Sequence, residues 1–206
     1  MFRIYLEVCR KNIRIFLFPA VFSALLLIII LFIVTDLRNA GVEYTAMICQ
    51  QFFAWAGIFL LSPVFMPEQK DNIEETILSK TVPVKAAYLI RLVQALVALL
   101  LFTAGFIFIL SFLVSEIEFK RYFIHTFATA LLLGSLSFAG TRFTGNIGIG
   151  YIIAFGFYII QMFLPDGILE RAEYIYIFTI RNETYSIVPI YISALCCIII
   201  PFGKRL

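Results

Sequence analysis

PEQKDNIEETILSKTVPVK, running from Pro67 to Lys85, is the longest polar interruption between apolar runs in a chain of 206 residues, and each flanking run is long enough to cross a membrane. It holds three lysines and four acids. Helix-to-helix loops in bundles commonly take about 2–8 residues, so this stretch is longer than a connection alone requires. The excess predicts a segment that something outside the bilayer reads. Asp71 is placed as an N-cap, Glu74 follows at capping-box spacing, and Ile73, Ile77 and Leu78 give a narrow apolar edge before Pro83. The pattern predicts a short helix from Asn72 to about Lys80. Glu74 and Glu75 fall in its first turn, where the helix dipole favours acids, which makes an exposed amphipathic knob with an acidic end. A solvated loop with a single helical turn is the alternative.

Outward from this stretch the chain is greasy. It is 62% hydrophobic, 17% aromatic and 14% charged, with a mean hydropathy of +1.00, against roughly 25% charged in an ordinary soluble domain. That composition reads as an all-α integral membrane protein, a single transmembrane domain over 1–206. At about 20 residues per spanning helix, the chain has room for six spans and no soluble catalytic domain.

The spans are expected at about 15–35, 44–66, 86–114, 122–140, 147–164 and 187–202. Residues 1–14 carry Arg3, Glu7, Arg10 and Arg14 on one side and Phe2, Leu6, Cys9 and Ile13 on another, the pattern of an amphipathic helix lying in the membrane interface. A cleaved signal peptide would need a small-residue site after its apolar core, and Thr35-Asp36-Leu37-Arg38 offers none. Pro19 sits in the first turns of the first span, where a missing donor does least damage. Arg91, near the start of the third span, can snorkel from near the helix end. The glycines of the fifth span suggest close helix packing, and Thr141 to Asn146 is expected to join it to the fourth. Residues 165–186 form a second long connection, half polar and half aromatic.

Basic residues set the orientation. Eleven lysines and arginines fall on the side of both termini and the Pro67 stretch, among them Arg3, Arg10, Lys11, Arg14, Lys70, Lys80, Lys85, Arg91 and Arg142, against five on the other side: Arg38, Lys120, Arg121, Arg171 and Arg181. The positive-inside rule then places both termini and residues 67–85 in the cytoplasm and residues 165–186 outside.

Catalytic signatures are missing from the sequence. There is no GxxxxGK[ST], GxSxG or HExxH, and no paired carboxylates lie within a span. The cysteines, Cys9, Cys49, Cys196 and Cys197, have neither metal-site nor disulfide-framework spacing and read as small apolar fillers. His125 is the single histidine; it reads as structural, with a proton relay as the alternative. An ion-coupled carrier would place acids near the midplane, and none occurs there. Gln50, Gln51, Gln94 and Gln161 are the neutral polar residues that either line a pathway or hydrogen-bond between helices.

The Pro67 stretch resembles the cytoplasmic loop between the second and third spans of ABC-2 type transporter permeases. In that family a glutamate, a Gly-Thr pair, leucines, a proline and a basic residue follow in order; here Glu68, Thr76, Leu78, Pro83 and Arg91 occupy those places, and Glu75 stands where the glycine is expected. The resemblance implies a permease without its own engine, paired with a second permease subunit. Each would receive a separate ATPase, holding ATP and Mg, on a coupling helix that involves Glu68, Asp71, Ile73, Glu74, Glu75, Thr76, Ile77 and Leu78. It further implies that residues 165–186 cap the outer exit, with Tyr174, Tyr176 and Phe178 as gate candidates. The expected function is ATP-driven export of an amphiphilic peptide, drug or lipid-like compound across a bacterial plasma membrane, with no catalysis and no cofactor on this chain. A stand-alone channel or carrier predicts flux without nucleotide. A scaffold or immunity protein predicts association without flux.

Overall fold

The computed structural model describes residues 10, 12–13, 17–34, 41–65, 84–114, 117–163, 178 and 187–203, with backbone alone at 42, 43, 84, 85, 202 and 203. The predicted interfacial helix, the coupling stretch and the outer connection, apart from the few residues just named, lie outside the described part.

Every regular element among the described residues is helical. Helix α1 covers Phe18–Val34, with Pro19 in its first turn. The next apolar run is not one regular helix. Val42–Met47 (α2) passes into a π-helical segment, Ile48–Phe52, which is followed by Trp55–Leu61 (α3) and a 3₁₀ turn, Ser62–Phe65. The Phe53 N–H donates five residues back to Ile48 at 3.0 Å, whereas Ala56 and Gly57 donate only three back, to Phe53 and Ala54. The backbone therefore changes from a wide to a narrow turn within a few residues.

Helices α4 (Val84–Leu113), α5 (Phe119–Thr144), α6 (Ile147–Met162) and α7 (Val188–Gly203) are the remaining elements among the described residues. The predicted fourth span is longer at both ends than expected, and Thr141–Thr144 belong to the helix rather than to a connection. Two local features explain this. The Thr144 hydroxyl donates to the Gly140 carbonyl at 2.7 Å, and the stop comes only at Gly145, whose φ of 68° no β-branched side chain takes comfortably. The Asn146 side chain then accepts the Gly148 N–H at 2.8 Å and starts α6.

Among the described residues three stretches are long and apolar enough to cross a membrane: Tyr44–Phe65, Ala86–Leu113 and Phe119–Thr144. Phe18–Val34, Ile147–Met162 and Val188–Pro201 are apolar but shorter. Helix α5 is the centre, packing on α3, α4, α6 and α7. In its most apolar window 67% of residues are buried, against 33% for α4, which places α4 at the periphery.

Side-chain pairs fix the sense of each helix. Phe65 and Phe53 meet Tyr88 and Phe106, so α4 runs against the 44–65 stretch. Phe59 and Trp55 meet Tyr151 and Phe155, so α6 does the same. Asn12 meets Arg91 and Phe32 meets Phe106, so the first helix runs with α4. Gly57 and Phe65 meet Ala130 and Phe138, so α5 runs with the second stretch. Asn12, Phe65, Tyr88 and Arg142 consequently share one end of the bundle.

The tightest packing lies along α5. A Cβ on Gly57 would overlap the Ala130 carbonyl, and one on Gly134 would stand 2.6 Å from the Gly57 carbonyl oxygen. On another face of α5, a Cβ on Gly150 would overlap the Thr141 hydroxyl. Of the glycines expected to mediate packing in the fifth span, Gly150 does so and Gly156 meets nothing within 4 Å.

Gly57→Val and Gly134→Val therefore force backbone apart and should destabilise the protein by about 1–3 kcal/mol or more. Gly156→Ala should cost little or nothing. Thermal unfolding in detergent checks this, and equal midpoints for all three variants would refute the close-packed seam.

Candidate functional site

The coupling residues Glu68, Asp71, Ile73, Glu74, Glu75, Thr76, Ile77 and Leu78 lie outside the described residues, as do Tyr174 and Tyr176. The structure does describe the ground on which the polar stretch is rooted. Phe65 ends the second apolar stretch and Tyr88 lies in the first turns of α4, and their rings meet edge-on at 4.8 Å. Phe65 also packs on Phe138 of α5 at 4.7 Å. Both roots of the connection are thus held together, and both are held to the central helix.

Two guanidinium groups complete this footing. Arg142, in the last turn of α5, lies 5.2 Å from the Phe65 ring centroid and 5.7 Å from that of Tyr88. Such cation–π contacts are worth about 0.5–2 kcal/mol, more as water is excluded, and a cation also suits the C-terminal end of a helix. Arg91 lies on the next turn of α4 from Tyr88, 6.0 Å from its ring. It does not snorkel. Arg91 is only 8% exposed, and its Nε donates to Asn12 Oδ1 at 3.1 Å while Nη1 reaches the Val64 carbonyl at 3.4 Å. The Val64 carbonyl and the side-chain carbonyl of Asn12 give the cation hydrogen-bond partners inside the bundle.

The four glutamines lie at different places along the bundle. Gln50 and Gln51 stand in the π-helical segment, Gln50 buried and Gln51 half-buried. Gln161 is buried near the end of α6, and its Oε1 has no hydrogen-bond partner among the described residues. Gln94 is half-buried one turn from Arg91. From residue 94 to Phe106, which stacks on Phe53 just past the π segment at 4.6 Å, is about 18 Å of helix rise. Gln94 therefore belongs with the footing and not with Gln50.

Phe178 is the one gate candidate described; it is buried, with its ring 6.0 Å from Tyr158. Tyr158 in turn meets Trp55 at 5.6 Å, and Trp55 meets Phe52 at 5.9 Å, so an aromatic chain links Phe178 to the π-helical segment. Beside it, between α1 and the second stretch, lies a cavity of about 630 Å³. Phe22, Leu26, Ile30, Met47, Phe52 and Trp55 are among its walls, which are almost wholly apolar. Such a cavity suits hydrocarbon and supplies nothing for acid–base chemistry. Among the described residues no three His, Cys, Asp or Glu side chains group to hold a metal ion.

Asn12, Phe65, Tyr88 and Arg142 escaped the sequence reading. Tyr88 and Arg91 are three apart on one helix face, a usable signal, and Arg142 marks a helix end. Nothing local distinguishes Asn12 from its polar neighbours.

No family model, curated protein or solved structure matches the chain.

Because Gln161 Oε1 is buried without a partner among the described residues, Gln161→Met should leave thermal stability unchanged or raise it by about 1 kcal/mol, since an unsatisfied buried polar atom costs about 1–3 kcal/mol. A drop of several degrees in the unfolding midpoint would show that the amide is engaged after all.

Proposed function

We propose that the chain is a permease subunit of an ABC exporter of the ABC-2 type, with six spans in a bacterial plasma membrane and both termini in the cytoplasm. The observation that carries this reading is the rooting of the nineteen-residue polar stretch, Pro67 to Lys85. Its sequence has the marks of an exposed amphipathic helix, and its two roots are clasped to each other and to α5 through Phe65, Tyr88, Phe138 and Arg142. Such packing stabilises any pair of adjoining helices, and it is also what a lever that transmits force needs.

On this reading a separate ATPase, carrying ATP and Mg, docks on Glu68, Asp71, Ile73, Glu74, Glu75, Thr76, Ile77 and Leu78, and a second permease subunit completes the pathway. Nucleotide-driven closure of the ATPases displaces the stretch, and the footing passes the push to the second and third spans as a rigid-body movement between two states. The apolar cavity beside the π-helical segment supports an amphiphilic cargo with a hydrocarbon part.

Ile77→Asp places a charge on the apolar edge of the stretch, and Glu74→Lys reverses its acidic end. Both variants should insert normally in the membrane and lose co-purification of the ATPase, by about tenfold or more, as expected when a buried contact gives way to a charge. Wild-type recovery of an ATPase by both variants, with undiminished ATP turnover, would sink the proposal. Flux through liposomes holding this chain alone, without nucleotide, would instead favour a channel or carrier.

A further inference from the structure

We propose that Arg91 is a positioning residue that makes the N-terminal segment at Asn12, the end of the second apolar stretch and the start of α4 move as one body. Its purpose rests on the permease reading; its geometry does not. A guanidinium buried to this extent would be costly without partners, and its donors are divided between two other parts of the chain. Nε donates to Asn12, 79 residues away, and Nη1 to the Val64 carbonyl, 27 residues away. Val64 lies in the 3₁₀ turn from which the polar stretch departs, and Arg91 lies beyond the point where the stretch enters α4. One side chain therefore ties both roots and adds a third element that the ring contacts of Phe65 and Tyr88 do not reach.

The planar fork matters here. Arginine holds several donors in fixed directions, whereas lysine is a point charge on a flexible stem, so lysine would keep the charge and hold only one partner at a time. Asn12 is itself 7% exposed and reaches Arg91 through its carbonyl oxygen. Without Arg91 a push on the polar stretch could displace the two roots and leave Asn12 behind. With it, the three are displaced together.

The test uses the full chain, with Cys9, Cys49, Cys196 and Cys197 replaced by Ala, spin labels on cysteines at Ile13 and Phe143, and dilution with unlabelled chain. Both label sites are exposed. The distance distribution measured by pulsed electron resonance should be narrow for the parent, broad for Asn12→Leu and Arg91→Met, and intermediate for Arg91→Lys. Asn12→Leu leaves the cation in place and serves if Arg91→Met fails to fold. A distribution as narrow as the parent's in Asn12→Leu overturns the proposal, whatever happens to its unfolding midpoint. In the assembled complex, Asn12→Leu should bind the ATPase with unchanged affinity while permease-stimulated ATP turnover falls about tenfold, the weight of one charged hydrogen bond. Unchanged turnover overturns the transmitting role. Absence of any ATPase on the parent chain refutes the permease reading and leaves the label distances to judge Arg91.

Discussion

Everything in this bundle depends on how closely the backbone at Gly57 approaches that of α5 at Ala130 and Gly134. Lipid tails are as apolar as leucine, so no hydrophobic force drives one helix against another in a bilayer, and van der Waals packing and polar links must do it. Removing side chains at the crossing lets two backbones meet, and longer-range contacts then fall into register. Ser62 and Ser137 share a hydrogen bond one step along the same interface. Beyond them Phe65 meets Phe138, and Arg142 comes within reach of Phe65 and Tyr88. The footing of the polar stretch is the far end of a seam that begins at Gly57.

The sequence placed the apolar stretches well, because length and hydropathy are local properties and each stretch carries its own signal. It did not single out α5 as the centre. The reason is instructive: among the three long stretches α4 is the most apolar and the least buried, whereas Tyr44–Phe65 and α5 are less apolar and more buried, and α5 carries Thr126, Thr129, Ser135, Ser137 and Thr141. In a bilayer the greasiest helix can face lipid, and small and hydroxyl side chains mark the inside. Several of those hydroxyls are satisfied within their own helix, as Thr129 is by the His125 carbonyl and Ser135 by that of Leu132. A ranking by hydropathy therefore inverts the ranking by burial. The π-helical segment at Ile48–Phe52 was equally hidden, since a slip in hydrogen-bond register has no residue signature of its own.

The site was legible in proportion to how local its chemistry is. Gln50 and Gln161 were singled out as intramembrane polar residues and both are buried, but spacing along the chain did not reveal that Gln94 lies far from Gln50. Arg91 was read as a surface-seeking cation because most arginines near a span end can find water. What turns it inward is a partner 79 residues away and the carbonyl of Val64. Neither contact can be inferred from the residues beside it. Nor could the pairing of Arg142 with Phe65 and Tyr88, three residues from three helical elements.

On the permease reading these contacts also decide where the protein can deform. The stretch from Trp55 to Phe65 is fastened to α5 by backbone contact at Gly57, by Ser62 and by Phe65, and to α4 by Tyr88 and Arg91. A push at the roots of the polar stretch would therefore move α3, α5 and the start of α4 together. Between α2 and α3 the backbone passes from a five-residue to a three-residue hydrogen-bond step at Phe53 to Gly57. Bending concentrates where a ladder is already interrupted. Met47 and Phe52, before that point, and Trp55 and Phe59, after it, are opposite parts of one cavity wall with α1. A displacement delivered at Arg91 and Arg142 would thus be felt as a change in the shape of the apolar cavity, without any side chain of the cavity touching the polar stretch.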